Sequence, residues 1–128
     1  MKYDNLIMIN ILLIEDNAGY RELFKAHLGE TSLKYNLVEA DNPIDGLEKM
    51  RNYRGDFQIV ICDFFLPIQN GSDLLEIVQS HKKKTICLLI SADPSFATKN
   101  LPYVDHFFPK TDTKALVNFI NTYDFFVL

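Results

Sequence analysis

The segment Gln58-Ile59-Val60-Ile61-Cys62-Asp63-Phe64-Phe65-Leu66-Pro67 constrains this 128-residue chain more than any other. An apolar, β-branched run ends on a single carboxylate, and a proline follows four residues after it. A strand that is apolar at every position has both faces covered, as in the middle of a parallel sheet. In open parallel sheets the chemistry gathers outside the carboxyl ends of the strands. Asp63 stands at such an end and is the first candidate functional residue.

The same pattern recurs along the chain. Ile9 to Ile14 is a second apolar strand, followed by Glu15-Asp16-Asn17; Tyr35 to Ala40 is a short third. Thr85 to Ile90 ends at Ser91, and His106-Phe107-Phe108 runs into Pro109 and Lys110. Between the strands, apolar residues recur at three- and four-residue spacing. Tyr20, Leu23, Phe24, His27 and Leu28 mark one helix, with Asn17 as its cap and Gly29 as its stop. Pro43 opens a second, where a missing N–H costs nothing, and Ile44, Leu47 and Met50 carry it to about Tyr53. Leu74, Leu75, Ile77 and Val78 mark a third that ends near Ser80, before the basic run His81-Lys82-Lys83-Lys84. Leu116, Phe119, Ile120 and Tyr123 mark a helix predicted from Thr111 to about Tyr123. The intervening segment Ala92 to Asp105 holds Pro94 and Pro102, so a helix there should be short or irregular. Five strand–helix alternations predict one layered α/β domain over 1–128: a parallel sheet with helices on both faces and right-handed crossovers. Residues 1–8 read as an N-terminal extension and 124–128 as an apolar C-terminal tail.

Composition narrows the function classes. A net charge of −4 and a pI near 5.3 argue against nucleic-acid binding by this chain, which needs clustered Lys and Arg. Cys62 and Cys87 both lie in apolar runs, which fits buried thiols in a reducing cytoplasm. The apolar stretch Leu6 to Ile14 is far short of the roughly 20 residues that span a bilayer. Glu15-Asp16 also stands where a secretory cleavage site would need small residues. The expectation is a cytoplasmic protein with no membrane segment. His27, His81 and His106 are too far apart in sequence to suggest a metal motif.

The strand ends together form a constellation. One sheet edge should collect Glu15, Asp16, Asp63, Ser91 and Lys110: three carboxylates, a hydroxyl and an ammonium. Crowded carboxylates repel unless a cation sits among them. Hard oxygen ligands with open positions suit Mg²⁺, which keeps waters and recruits phosphate oxygens. Lys110 supplies a point charge and Ser91 a hydrogen-bond donor for further phosphate oxygens. Asp63 is then the natural nucleophile for an aspartyl-phosphate.

On these motifs the chain resembles the receiver domain of two-component response regulators (CheY-like). The residues that carry the resemblance are Leu13-Ile14-Glu15-Asp16-Asn17, Asp63-Phe64-Phe65-Leu66-Pro67 with Gly71, Ile90-Ser91-Ala92, and Phe107-Phe108-Pro109-Lys110. The resemblance implies a flavodoxin-like, doubly wound five-stranded sheet of order 2-1-3-4-5 and a role in a phosphorelay. It implies that Asp63 accepts phosphate from a histidine kinase or histidine phosphotransfer protein. By the same resemblance Asp16 and Asp63 ligate Mg²⁺ through their carboxylates, Phe65 through its backbone carbonyl, and Glu15 through a water. Ser91 and Lys110 meet the phosphoryl group, and Phe107 is the aromatic switch. The implied protein is a signalling switch rather than a metabolic enzyme, its only chemistry being its own phosphorylation and dephosphorylation. Its implied partners are a downstream target protein and, in some members, a second copy of itself. Because the sequence runs out directly after the last helix, the expectation is either a stand-alone receiver or a chain cut before an effector domain.

Four features depart from the common family pattern. Phe107 replaces the usual tyrosine, so the switch ring carries no hydroxyl. Phe65 is large and apolar where the family tunes water access. Only 18 residues separate Ser91 from Lys110, which puts the usual dimer surface in doubt. Proline precedes Lys110 rather than following it.

Overall fold

The computed structural model describes residues 8–82 and 84–125. Residues 1–7 of the expected extension, Lys83 of the basic run, and Phe126, Val127 and Leu128 of the apolar tail lie outside the described residues. The strands are β1 (Ile9–Ile14), β2 (Tyr35–Ala40), β3 (Ile59–Asp63), β4 (Ile86–Ser91) and β5 (His106–Pro109). The helices are α1 (Ala18–Gly29), α2 (Pro43–Asn52), α3 (Gly71–His81) and α4 (Thr113–Thr122). All pairings are parallel and the strand order is β2-β1-β3-β4-β5. This is the flavodoxin-like order that the resemblance implied.

Alternation explains why the strands are apolar throughout. Leu12, Ile14, Val60, Cys62, Cys87 and Leu89 point to one face, where α2 and α3 close a core with Met50, Leu74, Leu75 and Val78. Ile11, Leu13, Ile59, Ile61, Leu88 and Ile90 point to the other, against Phe24 and Leu28 of α1 and Leu116 and Ile120 of α4. Each fully buried Leu or Ile contributes about 1.5–3 kcal/mol. The cysteines are not opposite one another: Cys62 faces Leu89 and Cys87 faces Val60 across the β3–β4 ladder. Burial pushes the Cys87 thiol up to about 12 and raises that of Cys62, so both stay protonated.

Each helix starts on a side-chain cap. Asn17, Asn42, Asn70 and Asp112 accept from the backbone N–H of Tyr20, Asp45, Asp73 and Ala115. Such a cap is worth about 1 kcal/mol. Asp112 is the reason α4 begins at Thr113 rather than at the predicted Thr111. The proline-bounded segment after β4 forms only a five-residue 3-10 turn, Pro94–Thr98, as its spacing predicted. Pro109 ends β5 on the sheet edge, where a missing N–H is tolerated. Beyond α4, Phe125 stacks 4.6 Å from Tyr123 and packs on the core beside Phe119.

The loop from β3 to α3 carries the strongest local constraints. Gly71 N–H donates to the Phe64 carbonyl at 2.9 Å, and a Cβ on Gly71 would lie 2.3 Å from the Asp63 carbonyl oxygen. Only glycine lets the start of α3 come this close to the end of β3. Three residues earlier, Ile68 has φ +75°, a left-handed conformation that is a genuine outlier for a β-branched residue. Its side chain is 88% exposed, so packing does not compensate for the strain. Ile68→Asn should therefore raise stability by about 1 kcal/mol, read as a melting temperature about 3 °C higher. An unchanged or lower melting temperature would show that Ile68 is not strained.

Candidate functional site

Three backbone hydrogen bonds align the strand ends. Glu15 N–H donates to the Ala40 carbonyl at 2.9 Å, Phe64 N–H to that of Ile90 at 2.9 Å, and Lys110 N–H to that of Ser91 at 3.0 Å. The last bond holds Lys110 in place although Pro109 precedes it. The alignment gathers Glu15, Asp16 and Asp63, with one carboxylate oxygen from each within 4.8 Å of the others. Glu15 is fully buried and Asp63 is 4% exposed, whereas Asp16 faces solvent.

Lys110 is the ammonium of the cluster. Its Nζ lies 2.6 Å from Glu15 Oε1 and 3.6 Å from Asp63 Oδ2. The other oxygen of Glu15 accepts from Asn17 N–H at 3.0 Å, so both oxygens of this buried side chain are engaged. Burial nonetheless dominates, opposed by Lys110, and raises Glu15 to about 7. Burial also raises Asp63, against the nearby Lys110 charge. Three carboxylates around one ammonium leave an excess of negative charge that a hard divalent cation would offset. Their oxygens could hold such an ion.

The remaining predicted residues surround this centre. Ser91 is fully buried at the end of β4, and its Oγ accepts from Asp93 N–H at 3.0 Å. Phe65 stands on the rim, 58% exposed, its ring edge-on to Phe64 at 4.9 Å. Phe107 is half-buried on β5 and lies 6.2 Å from Phe96, which in turn lies 4.3 Å from Phe64. A file of rings thus joins the site loop to β5 through the 3-10 turn. Sequence reasoning missed Tyr20, which it counted only as part of the apolar face of α1. Lys110 Nζ sits over its ring, 4.9 Å from the centroid. The available signal was an aromatic residue in the first helical turn after Glu15-Asp16.

A model of the response regulator receiver domain matches residues 11–106. The chain belongs to this family. Among curated relatives, Regulator of RpoS from Escherichia coli (strain K12) is 33% identical over 92 residues, 72% of this chain and 26% of that protein. The two-component response regulator ARR13 of Arabidopsis thaliana is 23% identical over 125 residues, 93% of this receiver chain and 22% of that protein. The chain therefore spans about a quarter of the length of these relatives. Among solved structures, the response regulator TrrA from Thermotoga maritima, in complex with Mg²⁺–BeF, superposes with a TM-score of 0.72. The two are 25% identical, with 87% of this chain and 97% of that one covered. The signal receiver domain of an HD domain-containing protein from Pseudomonas fluorescens gives a TM-score of 0.75 at 20% identity, covering 88% and 83%. No helix among the described residues is long and apolar enough to cross a membrane.

The acidic cluster of this receiver predicts a pH dependence of stability. Glu15 binds its proton more tightly folded than unfolded, so the folded state holds more protons between pH 4.5 and about 7. Its contribution is fully present below 4.5 and is lost as pH rises through 7. Asp63, also raised, acts in the same direction. Urea midpoints measured in chelator from pH 5 to 8 should fall more steeply for the wild type than for Glu15→Gln. Saturating Mg²⁺ should restore the stability lost at pH 8. Parallel curves for the two proteins would rule out Glu15 as the source.

Proposed function

We propose that this receiver is a phosphorylation switch in which Asp63 accepts a phosphoryl group from a phosphohistidine on a histidine kinase or histidine phosphotransfer protein. The observation that carries this reading is one buried carboxylate at a strand end with an ammonium and two further carboxylates beside it. An Asp63 carboxylate oxygen attacks phosphorus; the P–O bond forms as the P–N bond breaks, and the imidazole leaves with the electron pair. Mg²⁺, held by Asp16, Asp63 and the Phe65 carbonyl and by Glu15 through water, would neutralise charge on the phosphoryl oxygens. The Mg²⁺–BeF complex of TrrA supports this assignment.

Lys110 contributes a charge that exchanges part of its hold on Glu15 for a phosphoryl oxygen. Ser91 already accepts from Asp93 N–H, which leaves its own proton free to donate to the phosphoryl group. Reaching that group draws the end of β4 inward. Phe107 then moves into the vacated space, and without a hydroxyl it gives up no hydrogen bond in doing so. A downstream target protein reads the altered surface around Phe107.

Reversal requires a water molecule to attack phosphorus in line, and Phe65 is an exposed aromatic ring two residues after the acceptor. Its ring prolongs the phosphorylated state by excluding that water.

Intact mass after incubation with Mg²⁺ and acetyl phosphate tests the acceptor. One phosphate adduct, labile to hydroxylamine and absent from Asp63→Asn, is expected; an adduct that persists in the variant would move the acceptor elsewhere. The decay of that adduct tests the rim. Phe65→Asn should speed hydrolysis about tenfold, a barrier change of ~1.4 kcal/mol, and an unchanged rate would remove Phe65 from the mechanism.

A further inference from the structure

Tyr20 and Lys110 come from opposite ends of the chain and meet over the acidic cluster. Among the described residues the ammonium meets Glu15 Oε1 at 2.6 Å, Asp63 Oδ2 at 3.6 Å, and the face of the Tyr20 ring with its centroid at 4.9 Å. The electron-rich face of an aromatic ring attracts a cation, more strongly where water is excluded. Water is largely excluded here, since Tyr20 is 7% exposed and the Lys110 side chain 18%.

The ring is also firmly held. Tyr20 N–H donates to Asn17 Oδ1 at 2.9 Å, and Asn17 N–H donates to Glu15 Oε2 at 3.0 Å. The turn that presents Glu15 to Lys110 therefore presents the Tyr20 ring as well. A lysine on a four-carbon stem has many rotamers that reach solvent. Two carboxylates alone would let it exchange among them, and the ring closes the third side.

The hydroxyl does not share in this work. It is buried against the Thr113 hydroxyl and interacts there, not with the ammonium, so phenylalanine should keep the ring contact.

We infer that Tyr20 is a positioning residue, whose ring face holds the Lys110 ammonium over Asp63 for phosphoryl transfer. This rests on the proposed role of Asp63 and Lys110. Such a ring determines how often the ammonium stands ready rather than whether transfer can occur.

The experiment compares wild type, Tyr20→Phe, Tyr20→Leu, Tyr20→Met and Lys110→Ala. Each is examined by NMR of the lysine ε-methylene groups and by the rate of phosphorylation from acetyl phosphate with Mg²⁺. Thermal unfolding is followed in parallel, and Tyr20→Met replaces Tyr20→Leu if the latter fails to fold. In wild type and Tyr20→Phe the Lys110 ε resonances should lie upfield, shifted by the ring current, and phosphorylation rates should agree within twofold. In Tyr20→Leu and Tyr20→Met the resonances should return toward those of exposed lysines. Phosphorylation should then fall about fivefold, the factor that ~1 kcal/mol gives. Unshifted Lys110 resonances in wild type, or wild-type rates in folded Tyr20→Leu, would overturn the inference while leaving the receiver reading intact. Failure of wild type itself to take up phosphate would instead overturn the reading of Asp63 as phospho-acceptor, and the catalytic part of the inference with it. A shifted Lys110 resonance would then still establish the contact.

Discussion

The structure depends on keeping carboxylates out of water at the end of a parallel sheet. Two carboxylates 4 Å apart in a medium of effective dielectric 20 repel by about 4 kcal/mol. Glu15 and Asp63 also lose hydration, which costs more again. Lys110 answers part of this, and the raised proton affinity of Glu15 and Asp63 records the part it leaves. What remains is an unmet demand for positive charge in a fixed place. A site that already satisfied its own charges would have no affinity to spare for a cation or a phosphoryl group.

Fixing that place is the task of the surrounding backbone. The ends of β1, β3, β4 and β5 are tied to their neighbours by ladder bonds that run right up to the functional residues. Gly71 lets α3 start against the Asp63 carbonyl, so the loop stays close to the strand that supplies Asp63. Ile68, in the same loop, is left-handed, so this strain sits beside the acidic cluster. Asn17 caps α1 with its side chain and meets Glu15 with its backbone. One residue thus serves helix stability and site geometry together.

Much of this was legible in the sequence because apolar periodicity reports burial, and burial in an α/β sheet fixes topology. The five strands and the carboxylates at their ends follow from runs such as Ile59 to Cys62 and Leu12 to Ile14. The short turn at Pro94–Thr98 follows from the two prolines and the 18-residue spacing. Strand order was different. Periodicity does not say which strand pairs with which, and the order came from the family resemblance. Tyr20 was missed because a tyrosine at a helical core spacing has the same pattern whether it packs on leucine or on an ammonium. The bond between Ser91 and Asp93 was hidden too, since it depends on a turn that local sequence does not specify. The start of α4 slipped by two residues because two polar residues precede Thr113 and either could have capped the helix.

The two faces of the sheet are not held equally, and that asymmetry bears on how a local charge event could travel. On one face α1 and α4 pack on each other and on the strands through Phe24, Leu28, Leu116 and Ile120, all fully buried. Tyr20 belongs to this side, so the ammonium it faces lies against the helix-covered face. On the other face α3 packs on β4, and the cover of β5 is a five-residue 3-10 turn whose one buried residue is Phe96. The turn contributes few buried contacts of its own, and segments with few such contacts open at the lowest cost. Phe96 and Phe107 lie on this lightly held side, in line with Phe64 at the site loop. In the proposed switch, a charge placed on Asp63 meets the Lys110 ammonium on one side and this aromatic file on the other. On that reading, the strain of accommodating new charge is relieved mainly through the thinly covered edge at β5.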